Sequence, residues 1–194
     1  QMKIVFATNN PNKLKEIQAL MPTGIEIVSL KDIGCTEDIP ETGKTLEANA
    51  FQKANYLKEH YGYDCFADDT GLEVNALNGN PGVYSARYAG PQRSAEDNMA
   101  KILDELKGKE NRKAQFRTAI ALILNGEEYL FEGKVEGQIS QAKLGEKGFG
   151  YDPIFIPENE TRSFAQMSME EKGAVSHRGK AVRKLVECIG RLVD

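Results

Sequence analysis

Apolar residues along this chain fall into short runs and helix-spaced sets, separated by polar turns. Residues 3–8 form an apolar, strand-like run, and the apolar residues that follow recur at helical spacing within 14–21. A second strand is predicted at 25–28. After a polar loop, the apolar stripe within 46–61 predicts a helix of about four turns. This strand–turn–helix beginning is typical of α/β proteins.

The second half of the chain predicts long strands and a terminal helix. Asn125-Gly126 is a favoured sequence for a tight primed turn, and it lies between the strand-like runs 116–124 and 128–135. A glycine-rich loop at 145–152 leads towards a last helix, whose apolar residues are Ala181, Leu185, Cys188, Ile189 and Leu192. We expect a mixed α/β fold with long antiparallel strands flanked by helices. Residues 1–194 fit one domain, or two lobes that share a core.

The stretch from Cys65 to Leu72 is the leading candidate for a site. Its apolar run ends at Asp68-Asp69-Thr70-Gly71, which predicts a strand that stops at a turn. Because neighbouring strand residues point to opposite faces, we place Asp69 in the site and Asp68 behind it as a supporting acceptor. Adjacent carboxylates suit a hard divalent cation such as Mg²⁺. The alternative is a solvated turn without chemistry.

The segment Thr8-Asn9-Asn10-Pro11-Asn12-Lys13 joins the first predicted strand to a helix that we expect to begin at Lys13. A turn that runs into a helix N-terminus offers backbone N–H groups and a favourable dipole to an anion. A lysine is disfavoured at that position unless an anion lies nearby. The segment therefore predicts either a phosphate site or an asparagine-rich cap with a solvated lysine.

Two further residues could join these sites. Glu41 is another loop carboxylate that could share a metal with Asp69, although alone it would be a solvated loop residue. Lys53 lies beside the apolar face of the second helix, where it either contacts a ligand or extends its ammonium to solvent. Gly43-Lys44-Thr45 does not indicate a P-loop, because Asp38 stands where the Walker pattern needs a glycine.

Aromatic and basic residues cluster in two later motifs. The first is Gly148-Phe149-Gly150-Tyr151-Asp152-Pro153, in which glycines let a flat ligand approach and an aromatic face can stack on a base. The second is Ser176-His177-Arg178-Gly179 at the start of the last helix, with Lys172 upstream. The alternatives are an anchored loop and a cap followed by a solvated basic turn. No Ser or Cys nucleophile motif accompanies the histidine.

Composition narrows the class of protein. With 40% hydrophobic and 28% charged residues, the chain is ordinary for a globular protein. Its net charge of −4 disfavours a general nucleic-acid binder, so an anionic ligand would need a local cluster of positive groups. The sequence shows neither a bilayer-length apolar run nor a signal-like segment, so we expect a cytoplasmic protein that binds no membrane. Three widely spaced cysteines indicate neither a disulfide framework nor a zinc site.

Short motifs run through nearly the whole chain in a characteristic order. They are Thr8-Asn9-Asn10-x-x-Lys13, Glu41-Thr42-Gly43, Asn49-Ala50-x-x-Lys53-Ala54, Ala67-Asp68-Asp69-Thr70-Gly71-Leu72, Pro81-Gly82-Val83-Tyr84-Ser85-Ala86-Arg87, Gly148-Phe149-Gly150-Tyr151-Asp152-Pro153 and Ser176-His177-Arg178-Gly179. Together they resemble the inosine triphosphate pyrophosphatase family, also called dITP/XTP or non-canonical purine NTP pyrophosphatases.

The resemblance implies an elongated α/β fold, with a long central mixed β-sheet flanked by helices and a cleft between two lobes, usually in a homodimer. It implies Mg²⁺-dependent hydrolysis of ITP, dITP or XTP to the monophosphate and pyrophosphate, which cleanses the nucleotide pool. Glu41 and Asp69 match the metal ligands of the family, and Asp69 also matches its proton acceptor. Pro40 departs from members that carry a second acid there, which leaves open which acid completes the metal shell.

The other matches are substrate contacts. Positions that match the phosphate-binding residues are Thr8, Asn9, Asn10, Pro11, Asn12, Lys13 and Lys53. Thr70 stands where many members have serine and keeps the hydroxyl. Positions that match base and substrate contacts are Phe149, Gly150, Tyr151, Asp152, Lys172, His177 and Arg178. Two alternatives stay open: a sensor that binds the triphosphate without cutting it, and a related pyrophosphatase for pyrimidine or modified nucleotides.

Overall fold

The computed structural model describes residues 2–193. The strands are Met2–Phe6 (β1), Ile25–Val28 (β2), Cys65–Val74 (β3), Lys113–Leu124 (β4), Glu127–Ile139 (β5) and Phe155–Pro157 (β6). The α-helices are Pro11–Leu20 (α1), Leu46–Tyr61 (α2), Ala95–Glu105 (α3), Met169–Val175 (α4) and His177–Val193 (α5). The expected mixed α/β class is confirmed.

The strands form one sheet in the order β2-β1-β3-β4-β5-β6. β1 pairs in parallel with both β2 and β3, while β5 and β6 pair antiparallel. Since β1–α1–β2 and β2–α2–β3 cross the sheet in opposite directions, the right-handed crossover rule places α1 and α2 on opposite faces. Side chains that alternate along β3 therefore meet different helices.

The chain divides into two compact units, each with its own core. The first contains the chain up to Asp69, residues 119–132, and the chain from Ala181 onward. Its buried cluster includes Ile4, Phe6, Ile17, Phe66, Leu122 and Leu185. The second contains Thr70–Thr118 and Gly133–Lys180, and its buried cluster includes Leu72, Met99, Phe116, Phe155 and Phe164.

The predicted turns and helix starts agree with the structure only in part. Asn125 and Gly126 have φ values of 53° and 81°, so the tight primed turn between β4 and β5 is confirmed. The turn expected at Asp68–Gly71 is wrong, because β3 continues through these residues to Val74. The first helix begins at Pro11 rather than Lys13. Helix α4, which the sequence did not predict, buries none of its side chains.

Candidate functional site

Asp68 and Asp69 occupy the last positions of β3 that belong to the first unit. The Oδ2 atom of Asp68 lies 3.3 Å from Lys13 Nζ on α1. The Oδ2 atom of Asp69 instead accepts a hydrogen bond of 3.0 Å from Asn49 Nδ2 on α2. Because the strand is continuous, the two side chains point to opposite faces, each towards a different helix. The predicted placement of these two carboxylates on opposite faces therefore agrees with the structure, whereas their roles in a site stay predictions.

Lys53 brings Glu41 and the aspartates into one electrostatic group. Its Nζ lies 2.7 Å from Glu41 Oε1 and also donates to the backbone carbonyl of Asp68. Burial opposes the charged ammonium, yet the carboxylates of Asp68, Glu41 and Asp69 hold the pKa of Lys53 above its ordinary value. The lysine is thus inside the site rather than extended to solvent.

Asp69 has an unusual protonation equilibrium. Burial raises its pKa to about 6, and the nearby carboxylates of Glu41 and Asp68 act in the same direction. The Lys53 ammonium and the Asn49 hydrogen bond partly offset this rise. A carboxylate with a pKa near neutrality is suited to accept a proton from water under physiological conditions.

The donors around Asp69 fit a hard cation. Asp69 and Glu41 offer carboxylate oxygens, and their mutual repulsion would be relieved by a positive ion. Among residues 2–193, no group of three or more His, Cys, Asp and Glu side chains is arranged to hold a metal. A pair of carboxylates still suits Mg²⁺, which keeps several waters and takes its remaining ligands from substrate phosphates.

The loop that carries Glu41 is attached to α2 at both ends. Upstream, the Glu37 carboxylate accepts hydrogen bonds from the hydroxyls of Tyr56 and Tyr61, at 2.7 Å and 2.8 Å. Downstream, Gln52 bonds both the backbone N–H and the hydroxyl of Thr42, at 2.8 Å and 3.0 Å. These contacts fix the loop position from which Glu41 reaches Lys53.

The segment before α1 is a capped helix start. The Asn10 side chain accepts from the backbone N–H groups of Asn12 and Lys13, at 3.0 Å and 3.4 Å, and Pro11 occupies the first turn. Asn9 Oδ1 accepts from the Lys31 backbone at 2.8 Å. The asparagines therefore shape the turn, as the capping interpretation predicted, while Lys13 faces Asp68.

In the second unit, two cations lie over one exposed aromatic ring. Phe149 is 46% exposed, and its ring centroid lies 4.7 Å from Lys172 Nζ and 5.3 Å from Arg178 Cζ. Lys172 Nζ is also 2.6 Å from Oδ2 of the buried Asp152. The structure thus brings together Phe149, Asp152, Lys172 and Arg178, and their role in binding a base stays a prediction.

Asp152 also shapes the loop that presents the ring. Its Oδ2 accepts a 3.1 Å hydrogen bond from the Phe149 backbone N–H. A Cβ on Gly148 would lie 2.1 Å from the same oxygen, and this residue has a φ of 75°. Glycine is therefore required at position 148 for both space and backbone conformation.

Three other predicted contacts are held in place by protein neighbours. Tyr151 is buried, and its hydroxyl donates to the Ser85 carbonyl. The His177 ring is buried and stacks on Phe116 with centroids 4.7 Å apart. Thr70 Oγ1 donates to Thr118 Oγ1 at 2.8 Å. Their roles as substrate contacts stay predictions.

The whole chain can be compared with known proteins. Residues 4–188 match the sequence profile of the Ham1 family. The chain belongs to the Ham1 family.

Relatives and structures extend this family assignment over the full length. The chain is 60% identical to a dITP/XTP pyrophosphatase of Flavobacterium psychrophilum, over 96% of this chain and 98% of the relative. It is 57% identical to a dITP/XTP pyrophosphatase of Flavobacterium johnsoniae, over 97% and 98%. A solved HAM1 protein from Coxiella burnetii is 36% identical, covers 98% of this chain and 100% of its own, and superposes with a TM-score of 0.93.

Sequence reasoning missed two residues that support these clusters in this Ham1 family member. Asn49 bonds Asp69, and Ser85 receives the Tyr151 hydroxyl on its carbonyl while its own Oγ accepts from the Leu72 N–H at 2.9 Å. Both residues lie inside motifs that carried the resemblance, which was the available signal.

Across residues 2–193, none of the helices is long and apolar enough to cross a membrane.

Proposed function

We propose that this chain hydrolyses non-canonical purine nucleoside triphosphates, namely ITP, dITP and XTP, to the monophosphate and pyrophosphate with Mg²⁺. The observation that carries the proposal is Asp69, a carboxylate whose pKa is raised to about 6 beside Glu41 and Lys53. Full-length similarity to proteins named dITP/XTP pyrophosphatase supports the same substrate class.

The first unit supplies the groups for the triphosphate. Lys13 and Lys53 are the cations that would neutralise phosphate oxygens, including charge that develops on the pyrophosphate leaving group. Backbone N–H groups and the positive end of the dipole at the start of α1 favour an anion there. Lys13 is paired with Asp68, and Lys53 is paired with Glu41. A bound triphosphate would therefore interact with lysines that also stay close to these carboxylates.

Asp69 would act on the attacking water. In its ionised form it accepts the proton from water as the oxygen attacks the α-phosphorus, in line with the leaving pyrophosphate. When bound to Glu41 and Asp69, Mg²⁺ would neutralise charge on the triphosphate oxygens. No covalent intermediate is expected, because the nucleophile in this scheme is water.

The second unit supplies the groups for the purine. The exposed Phe149 side chain offers a stacking surface, and the Lys172 and Arg178 side chains over its ring carry only hydrogen-bond donors. Donors suit the 6-oxo group shared by hypoxanthine and xanthine, whereas adenine presents an amine there.

The family resemblance extends the proposal to a homodimer in the cytoplasm, which light scattering and cell fractionation would test.

One experiment tests the activity directly. Purified protein is incubated with Mg²⁺ and each of ITP, dITP, XTP, GTP, ATP and CTP, and pyrophosphate and orthophosphate are measured separately. We expect stoichiometric pyrophosphate from ITP, dITP and XTP. Release of orthophosphate instead, or binding without cleavage, would contradict the proposal, and preferential cleavage of CTP would favour a pyrimidine enzyme.

A further inference from the structure

Asn49 contacts both segments that carry the proposed metal ligands. The residue is 3% exposed and lies one helical turn before Lys53 on α2. Its Oδ1 accepts a 2.7 Å hydrogen bond from the backbone N–H of Gly43, two residues after Glu41. Its Nδ2 donates the 3.0 Å hydrogen bond to Asp69 Oδ2. One buried amide therefore connects the Glu41 loop to Asp69.

Only one orientation of this amide satisfies both contacts. The Gly43 N–H can only donate, so it must face the amide oxygen, and the NH₂ group must then face Asp69. Reversal of the amide would set donor against donor at Gly43 and acceptor against carboxylate at Asp69. Since each mismatch would leave a buried polar group unsatisfied, the amide holds a single orientation.

The loop reaches Asn49 because residue 43 is glycine. A Cβ at this position would lie 2.8 Å from Asn49 Oδ1 and 2.8 Å from the Ala48 Cβ. Any larger residue would push the loop away from α2 and lengthen the hydrogen bond. The neighbouring amide of Gln52 also binds the loop, through Thr42.

We propose that Asn49 is a positioning residue that couples the Glu41 loop to Asp69, so that the two carboxylates are presented to the metal in one fixed arrangement. This inference rests on the proposed function, because it concerns the same reaction. It differs from a general packing role in that it predicts a loss of metal affinity and turnover through Asp69. Residues that support metal ligands typically contribute 10- to 100-fold to metal affinity or activity.

The test compares Asn49→Ala with Asn55→Ala, the same amide removal on the same helix at a position outside the proposed site. Mn²⁺ binding to the substrate-free protein is measured by electron paramagnetic resonance, and kcat and KM are measured with ITP and Mg²⁺. We expect Asn49→Ala to weaken Mn²⁺ binding and lower kcat by about 10- to 100-fold, with KM for ITP changed by less than about threefold. Asn55→Ala should change each quantity by less than about threefold.

Two further variants cover the case in which Asn49→Ala fails to fold. Asn49→Asp keeps the shape and the acceptor for Gly43 but sets an oxygen against Asp69, so kcat should fall at least as far. Gly43→Ala leaves Asn49 intact but displaces the loop, and it too should lower kcat. Wild-type turnover in Asn49→Asp would overturn the proposal.

A double-mutant cycle separates the coupling from a structural effect. If Asn49 acts through Asp69, Asn49→Ala should lower turnover by a much smaller factor in the Asp69→Asn background than in the wild type. Additive losses, equal losses in Asn49→Ala and Asn55→Ala, or a wild-type protein that does not bind Mn²⁺ would each overturn the inference. Pyrophosphate release by the wild-type protein is scored separately, so failure of the proposed function is distinguishable from failure of this inference.

Discussion

Lys13 and Asp68 are joined by an ion pair of 3.3 Å between helix α1 and strand β3. The carboxylate of Asp68 is almost fully buried, whereas the lysine keeps a fifth of its side-chain surface exposed. Asp69, the next residue of the strand, faces α2 instead. Adjacent aspartates therefore contact different groups: Asp68 pairs with Lys13, and Asp69 accepts a hydrogen bond from Asn49.

Removing the site lysines should weaken binding of the triphosphate more than that of the monophosphate. The monophosphate lacks the β- and γ-phosphate charges that Lys13 and Lys53 are proposed to contact. Because hydrogen bonds to charged groups contribute about 1.5–3 kcal/mol, Lys13→Ala and Lys53→Ala should each weaken ITP binding by about 10- to 100-fold. Isothermal titration calorimetry with EDTA present measures ITP and IMP affinities without turnover.

Lys15→Ala is the matched control for the lysine variants. Lys15 is an exposed lysine on the same helix as Lys13, so its replacement makes the same change in net charge. Its effect on ITP affinity should be small. Equal losses for ITP and IMP in Lys13→Ala and Lys53→Ala would show that the lysines do not contact the β- and γ-phosphates.

Base selection should depend on Arg178. Its guanidinium has only donors, so an adenine amine at position 6 would leave a buried donor unpaired at a cost of about 1–3 kcal/mol. We expect ITP and XTP to be cleaved well ahead of GTP, with ATP last, and Arg178→Ala to lose most of the preference for ITP over ATP. The measurement is kcat/KM for each triphosphate.

Phe149→Ala serves as the comparison for base selection. The aromatic face stacks on any purine, so its removal should lower kcat/KM for ITP and ATP by similar factors. Discrimination against GTP requires a wall near position 2 that offers its amine no acceptor. Cleavage of ATP as readily as ITP by the wild type, or an unchanged preference in Arg178→Ala, would place the base elsewhere.

Ionised Asp69 should lower the free energy of unfolding of the metal-free protein at neutral pH. Its pKa is raised from 3.8 to about 6 by burial and by the neighbouring carboxylates, so the folded state binds the proton more tightly than the unfolded state. The stabilising contribution of protonated Asp69 is therefore fully present below the unfolded pKa of 3.8. It is lost as the pH rises through the folded pKa of about 6. Asp69→Asn should raise the free energy of unfolding at pH 8 by up to about 3 kcal/mol.

Urea titrations in EDTA at pH 8 and pH 4 measure this effect. At pH 4 the folded wild type has Asp69 protonated, so the two proteins should differ little. A stability gain of equal size at both pH values would assign the difference to packing rather than to ionisation. A loss of stability at pH 8 would contradict the raised pKa.

The local pattern of apolar and polar residues was sufficient to predict most of the helices and strands. The second helix has the predicted limits, Leu46–Tyr61, because its apolar stripe and its Thr45 cap are encoded within one segment. The expected turn at Asp68–Gly71 failed because β3 continues beside β4 to Val74, and this non-local pairing overrides the preference of Asp and Gly for turns. Strand position in a sheet is not a local property.

Two kinds of feature were missed, for different reasons. Helix α4 buries no side chain, so it lacks an apolar stripe, and its only sequence signal was the capping box of Ser168 and Glu171. The candidate residues Lys13, Glu41, Lys53 and Asp69 were recognised as a set only through the order of the motifs. The contact of Asn49 with Asp69 depends on which segments meet in space, and no spacing rule predicts it.

The different roles proposed for Asp68 and Asp69 can be tested directly by replacing each with asparagine. Pyrophosphate release from ITP with Mg²⁺ is measured for Asp69→Asn and Asp68→Asn, with folding checked by circular dichroism. Asp69→Asn should lower kcat by at least ~100-fold, since it removes the proton acceptor and a metal ligand. Asp68→Asn should mainly raise KM, because it acts through Lys13. Near-normal turnover in Asp69→Asn, with Mg²⁺ still required, would contradict the assignment.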